Sequence, residues 1–164
     1  MKIKDNLEKQ FYRIRISEDD FREALEYLKE YEKYKFNIIN KALLSMAIIG
    51  YSRPFVKSSD GVEKGQSVLN VRLRDIFDDL EIVLHKKIIS YRHQAIAHSD
   101  YENRAFKIIK SDGNGFVIGG MLFDIQSELI DVEKLMSMCK KMLKHCVGRM
   151  FEVNNKLQSL GFEP

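Results

Sequence analysis

The sequence predicts a mostly α-helical protein, a four-helix bundle with a β-hairpin between the third and fourth main helices. Three observations carry this expectation. Apolar residues between Leu73 and His98 step by three or four without a break, a spacing that lines one face of a helix. A second stripe with the same step runs from Val132 to Leu157. Between the two, a pair of β-prone runs flanks Asp112-Gly113-Asn114-Gly115, residues suited to a tight turn. A composition of 45% hydrophobic and 31% charged residues is globular rather than disordered, and 164 residues suffice for one domain with its own core.

Taken in order, residues 1–16 alternate charged and apolar groups without a clean period, which predicts an N-terminal arm or a short helix. Ser17 is suited to cap the first main helix, with Glu18, Asp19 and Asp20 complementing its positive end. Phe21, Leu25 and Leu28 continue that helix to about Tyr34. The second helix covers roughly Phe36 to Tyr51 and is apolar on most faces, so it is expected at the centre of the bundle. Pro54 stops it by removing a backbone donor and by pushing Arg53 out of the helical region. Lys57 to Gly65 reads as a loop.

The third helix is expected from about Val71, with Leu73, Phe77, Leu80, Leu84, Ile88, Tyr91, Ala95 and His98 on its stripe. Ala105–Lys110 and Phe116–Phe123 form the hairpin strands, with Gly119-Gly120 weakening the second. The last helix runs from about Gln126 to Leu160, roughly 50 Å at 1.5 Å per residue. That is more than one small core needs, so a kink at Gly148 or packing on a second molecule is expected.

Several function classes are set aside. The start Met1-Lys2-Ile3-Lys4-Asp5 does not resemble a signal peptide. The longest apolar stretch, Ala42 to Tyr51, is about half of what spans a bilayer. Two cysteines, Cys139 and Cys146, make no disulfide framework, so a reducing cytoplasm is the expected location. His93 and His98 are five apart rather than the four that align two ligands on a helix, so neither a metal nor a cofactor is expected. His145 beside Cys146 is better placed at a solvent boundary than in a thiolate site. There is no phosphate-binding Gly-rich loop and no Gly-x-Ser-x-Gly elbow. Met136, Met138, Met142 and Met150 cluster as interface-filling residues.

Charge is unevenly placed. Residues 1–82 carry 15 basic and 15 acidic side chains, whereas residues 83–164 carry 12 basic against 9 acidic. Lys86, Lys87 and Arg92 form one basic group; Lys140, Lys141, Lys144 and Arg149 form another. Such groups suit either a phosphate-binding surface or a solvated helix face, and charge alone favours the solvated face. Arg53, at a helix end, has the same two readings, a phosphate cleft or a loop fastening.

The most informative stretch is Tyr91-Arg92-His93-Gln94-Ala95-Ile96-Ala97-His98-Ser99-Asp100. Arg92 can hold a phosphate charge and His98 can move protons near neutral pH. Six residues apart on a straight helix, the two lie about 9 Å apart along the axis and ~120° apart around it. Joint chemistry therefore needs a bend, a long reach by the arginine, or a second copy of the helix in a twofold dimer. In such a dimer one histidine takes the proton of a ribose 2′-hydroxyl, the other protonates the leaving 5′-oxygen, and the arginines hold charge on phosphorus. The plainer reading makes His98 a core residue and pairs Arg92 with Asp75, Asp79, Glu81 or Asp100.

Arg92, the polar His93 and His98 followed by Ser99-Asp100 resemble the signature of the HEPN superfamily (higher eukaryotes and prokaryotes nucleotide-binding), an arginine and a histidine four to six residues apart. Ala97-His98-Ser99-Asp100 is most similar to its abortive-infection-type branch, and Tyr51-Ser52-Arg53-Pro54-Phe55 resembles small bacterial proteins of that kind. The sequence-specific similarity covers little more than residues 50–55 and 88–101. It implies one HEPN-like helical domain over 1–164 that dimerises with its motif helices face to face. It further implies a metal-independent endoribonuclease of toxin or phage-defence type, with Arg92 and His98 catalytic and His93 assisting. A histidine in the assisting slot departs from the more usual asparagine or aspartate. Arg53, Lys86 and Lys87 are the candidate substrate-binding residues, and RNA, an antitoxin and a nucleotidyltransferase are the candidate partners.

The superfamily also holds inactive members, so fold alone does not settle activity. A catalytically silent HEPN-like module that binds a protein partner or a nucleotide is the alternative. A plain helical interaction protein, with the motif a coincidence, is the third.

Overall fold

A computed structural model describes residues 2–34, 38–56, 68–93, 106–110, 116–120 and 130–161, with backbone alone for 2–4 and for the two strands. Four α-helices, α1 (Lys2–Tyr31), α2 (Ile38–Ser52), α3 (Asp79–Tyr91) and α4 (Val132–Ser159), make the fold mostly helical. Short 3-10 turns occupy Arg53–Phe55 and Leu73–Asp75. Strands β1 (Phe106–Lys110) and β2 (Phe116–Gly120) pair antiparallel, with Phe106 opposite Gly120 and Lys110 opposite Phe116. The expected turn, 111–115, lies outside the described residues. Among the described residues, no helix is long and apolar enough to cross a membrane.

The helix expected from Ser17 begins at Lys2 instead, so residues 5–16 are not an arm. Leu7, Phe11, Ile14, Phe21, Leu25 and Leu28 all pack on or within the core. Their steps of three and four leave one place on the stripe, and Glu18 fills it, 2% exposed. Its carboxylate is held by Arg15 one turn before and Arg22 one turn after. Ser17 is no cap: fully buried inside the helix, it donates its hydroxyl to the Arg13 carbonyl at 2.8 Å, the usual bond of a mid-helix serine.

α1, not α2, is central. The most extensive packing is between α1 and α4, followed by α1 and α2. α2 buries Leu44, Ala47, Ile48 and Tyr51 but leaves Ile38 and Ile39 exposed in its first turn. Gly50 allows the close approach of α1 and α2, since a Cβ there would stand 3.3 Å from both the Ala24 Cβ and the Asp20 carbonyl oxygen. Asn40 adds a polar tie, its amide donating to the carbonyls of Tyr31 and Tyr34 at the end of α1.

α4 starts at an Asp131 cap, whose carboxylate accepts from the Lys134 backbone N–H. Its 28 residues run through Gly148 and bury Leu135, Cys139, Met142, Cys146, Val153 and Leu157. The length that looked surplus is matched by α1: 30 residues, about 45 Å, lie along it. No kink and no second molecule are needed to occupy most of that stripe.

α3 opens at Asp79 rather than Val71. Asp78 caps it and Glu81 reaches back to the Asp78 N–H, a reciprocal capping box. The start settles which face is buried: Leu80 is 67% exposed and Glu81 only 3%. Lys141 of α4 lies 2.7 Å from both Glu81 oxygens, joining α3 to α4.

Candidate functional site

The end of α3 carries the described part of the motif. Ile88 is fully buried, and Arg92, four residues on, extends the same face to where the core gives way to solvent. Arg92 and His93 continue the chain in a wider, π-type turn, and the Arg92 N–H is shared between the Ile88 and Ile89 carbonyls. Arg92 is half-buried, and Nη1 lies 3.3 Å from Nδ1 of the exposed His93. Arginine has no acceptor, so a hydrogen bond here can only use the His93 Nδ1 lone pair. Among the described residues, no carboxylate pairs with Arg92: Glu81 is taken by Lys141, and neither Asp75 nor Asp79 reaches it.

Lys86 is exposed, and Lys87 places its ammonium 5.5 Å from the centroid of the Tyr91 ring one turn on. Both are on the motif helix. Arg53 is engaged elsewhere: Nη1 lies 2.7 Å from Glu23 and 3.3 Å from Asp20, both of α1. Its carbonyl accepts from Arg13 at 3.2 Å. Arg53 therefore fastens the turn after α2 onto α1, the second of its two expected readings. His98, Ser99 and Asp100 lie outside the described residues.

The Tyr51–Phe55 segment that contributed to the resemblance holds core residues. The Tyr51 hydroxyl and His85 Nδ1 are 2.8 Å apart, and Phe21, Phe55 and Phe77 surround them. Burial pushes the Tyr51 phenol upward and, with Lys86 adding to the effect, pushes His85 down to about 4. His85 is thus neutral at pH 7. The Arg–His spacing of the motif does not point to His85, whose one sequence signal is its place directly after Leu84 on the buried face. Burial also pushes Cys139 and Cys146 up to about 12, leaving them as thiols. Among the described residues, no group of three or more His, Cys, Asp or Glu side chains is arranged to hold a metal ion.

Comparison with family profiles, with curated proteins and with solved structures gives no match to this chain.

Proposed function

We propose that the chain is a HEPN-like, metal-independent endoribonuclease of toxin or phage-defence type, a mostly helical bundle with a hairpin between its third and fourth main helices. In this reading two copies bring Arg92, His93 and His98 into one composite site. One His98 imidazole accepts the 2′-hydroxyl proton as that oxygen attacks phosphorus. The other gives a proton to the departing 5′-oxygen, leaving a 2′,3′-cyclic phosphate and a 5′-hydroxyl. The two Arg92 guanidinium groups hold the charge that builds on the phosphoryl oxygens. Lys86 and Lys87 add positive charge along the same helix.

The observation that carries this reading is the state of Arg92. It emerges from the core face of α3, beside His93, with no carboxylate among the described residues neutralising it. An arginine in an intact ion pair would have to give that up to bind phosphate, and none of the described carboxylates holds Arg92 in one. Leu80 and Val83, 67% and 64% exposed within one turn of α3, supply an apolar patch suited to a second copy. That patch suits the inactive module equally well, since any protein partner could cover it.

The test is incubation of purified protein with single-stranded RNA in EDTA. Cleavage that is lost in both Arg92→Ala and His98→Ala supports the nuclease. Intact RNA across a broad substrate panel favours the binding module.

A further inference from the structure

A cavity of about 580 Å³ lies between the first half of α1, the extended segment 68–71 and α4. Its polar wall includes Asn6, Gln10, Arg13, Asn70, His145 and Arg149, and among the described residues no aspartate or glutamate lines it. Ile14, Val68, Leu69 and Val71 give it an apolar side. The segment is anchored where it enters, since the Leu69 N–H donates to the Pro54 carbonyl at 2.7 Å. Leu69 itself is buried in the core.

The charges in this cavity are only partly answered. Arg13 is half-buried and donates to the Arg53 carbonyl, while its Nε is enclosed and has no hydrogen-bond partner among the described residues. Asp20 is near enough to be felt, yet it bonds to Arg53 rather than to Arg13. Burial consequently pulls the Arg13 guanidinium below its ordinary range. Arg149 has one exposed partner, Glu152, at 3.2 Å. His145 is pulled down first by burial and then by Arg149, with Glu152 opposing them. A second hollow shares His145 and Arg149 and adds Lys141 and Lys144, with Asp75 and Glu152 as its acidic members.

A partly buried cation without an ion-pair partner is costly unless an anion joins it. The volume falls within the ordinary range for small-molecule sites, and the mixed wall suits a ligand with one anionic and one apolar end. We infer that this cavity binds a small organic phosphate, its phosphoryl group between Arg13, His145 and Arg149 and its apolar part against Ile14, Val68 and Val71. The inference is independent of the ribonuclease reading. Lys141 pairs with Glu81 in the first turn of α3, about 16 Å along that helix from Arg92.

The test is titration of the full chain with inorganic phosphate and with phenyl phosphate at fixed ionic strength, followed by the NMR signals of the His145 ring. His145→Gln identifies those signals. Saturable shifts are expected with both probes, with phenyl phosphate binding at least fivefold more tightly. Arg149→Ala should weaken both by at least tenfold with an unchanged melting temperature, while Lys140→Ala, on the exposed face of α4, should change neither. No saturable shift, or binding indifferent to Arg149→Ala, overturns the site. Equal affinity for the two probes overturns the role of the apolar wall.

Discussion

The Tyr51 hydroxyl and the His85 Nδ1 atom share a hydrogen bond of 2.8 Å inside an aromatic cluster that joins α2 to α3. The Phe55 ring packs edge-on against the imidazole, with centroids 4.7 Å apart. This pair is a buried polar link within that aromatic cluster. Tyr51→Phe leaves a buried ring nitrogen without its partner, and a loss of about 1–3 kcal/mol is expected by chemical denaturation.

The same pair gives the fold a pH dependence. His85 titrates near 4 when folded and at an ordinary 6.5 when unfolded, so the unfolded chain binds more protons between those values. Stability is therefore full above about 6.5 and falls with pH down to about 4, by up to about 3 kcal/mol from this group. The double variant Tyr51→Phe/His85→Phe keeps the rings and removes the titration. Denaturant midpoints from pH 7 to pH 4 should fall less for it than for the natural sequence.

Glu81 and Lys141 are coupled. Lys141→Ala strands a carboxylate that is 3% exposed, and a destabilisation of about 1–3 kcal/mol is expected after allowing for the partly exposed lysine. Lys141→Met with Glu81→Gln should recover much of that loss. Equal losses for the single and double variants in thermal melts would show that the pair is not coupled.

Glu18 occupies an apolar stripe of α1 with two arginines holding it. Glu18→Leu removes a buried charge and completes the stripe, so the melting temperature is expected to hold or rise. Gly50→Val should lower it, because the added atoms meet Ala24 and the Asp20 carbonyl at the α1–α2 contact.

Cys139 and Cys146 are buried thiols pushed up to about 12. Reaction with a thiol-specific reagent at pH 8 should be slow in the native protein and complete in denaturant. Fast native labelling would show that the α1–α4 contact opens readily.

Long apolar periodicity made the helical class and the α4 stripe legible from sequence. Where charge stands on a buried face, periodicity misleads. Glu18 interrupts the α1 stripe, so the sequence pattern does not join Leu7, Phe11 and Ile14 to Phe21, Leu25 and Leu28. The exposed Leu80 and buried Glu81 are adjacent, so an apolar count selects the wrong one and extends α3 backward past its Asp78 cap. Underestimating α1 in turn made α4 seem too long for one molecule. The pairing of Arg53 with Asp20 and Glu23 joins residues about thirty positions apart, which no local pattern encodes.

The composite Arg92–His98 site is tested most directly by end-group analysis of single-stranded RNA incubated with purified protein in EDTA. Fragments ending in 2′,3′-cyclic phosphate and beginning with 5′-hydroxyl are expected, together with their absence for Arg92→Ala and His98→Ala of native melting temperature. Undiminished cutting by folded Arg92→Ala, or cutting that requires added divalent metal, would contradict it.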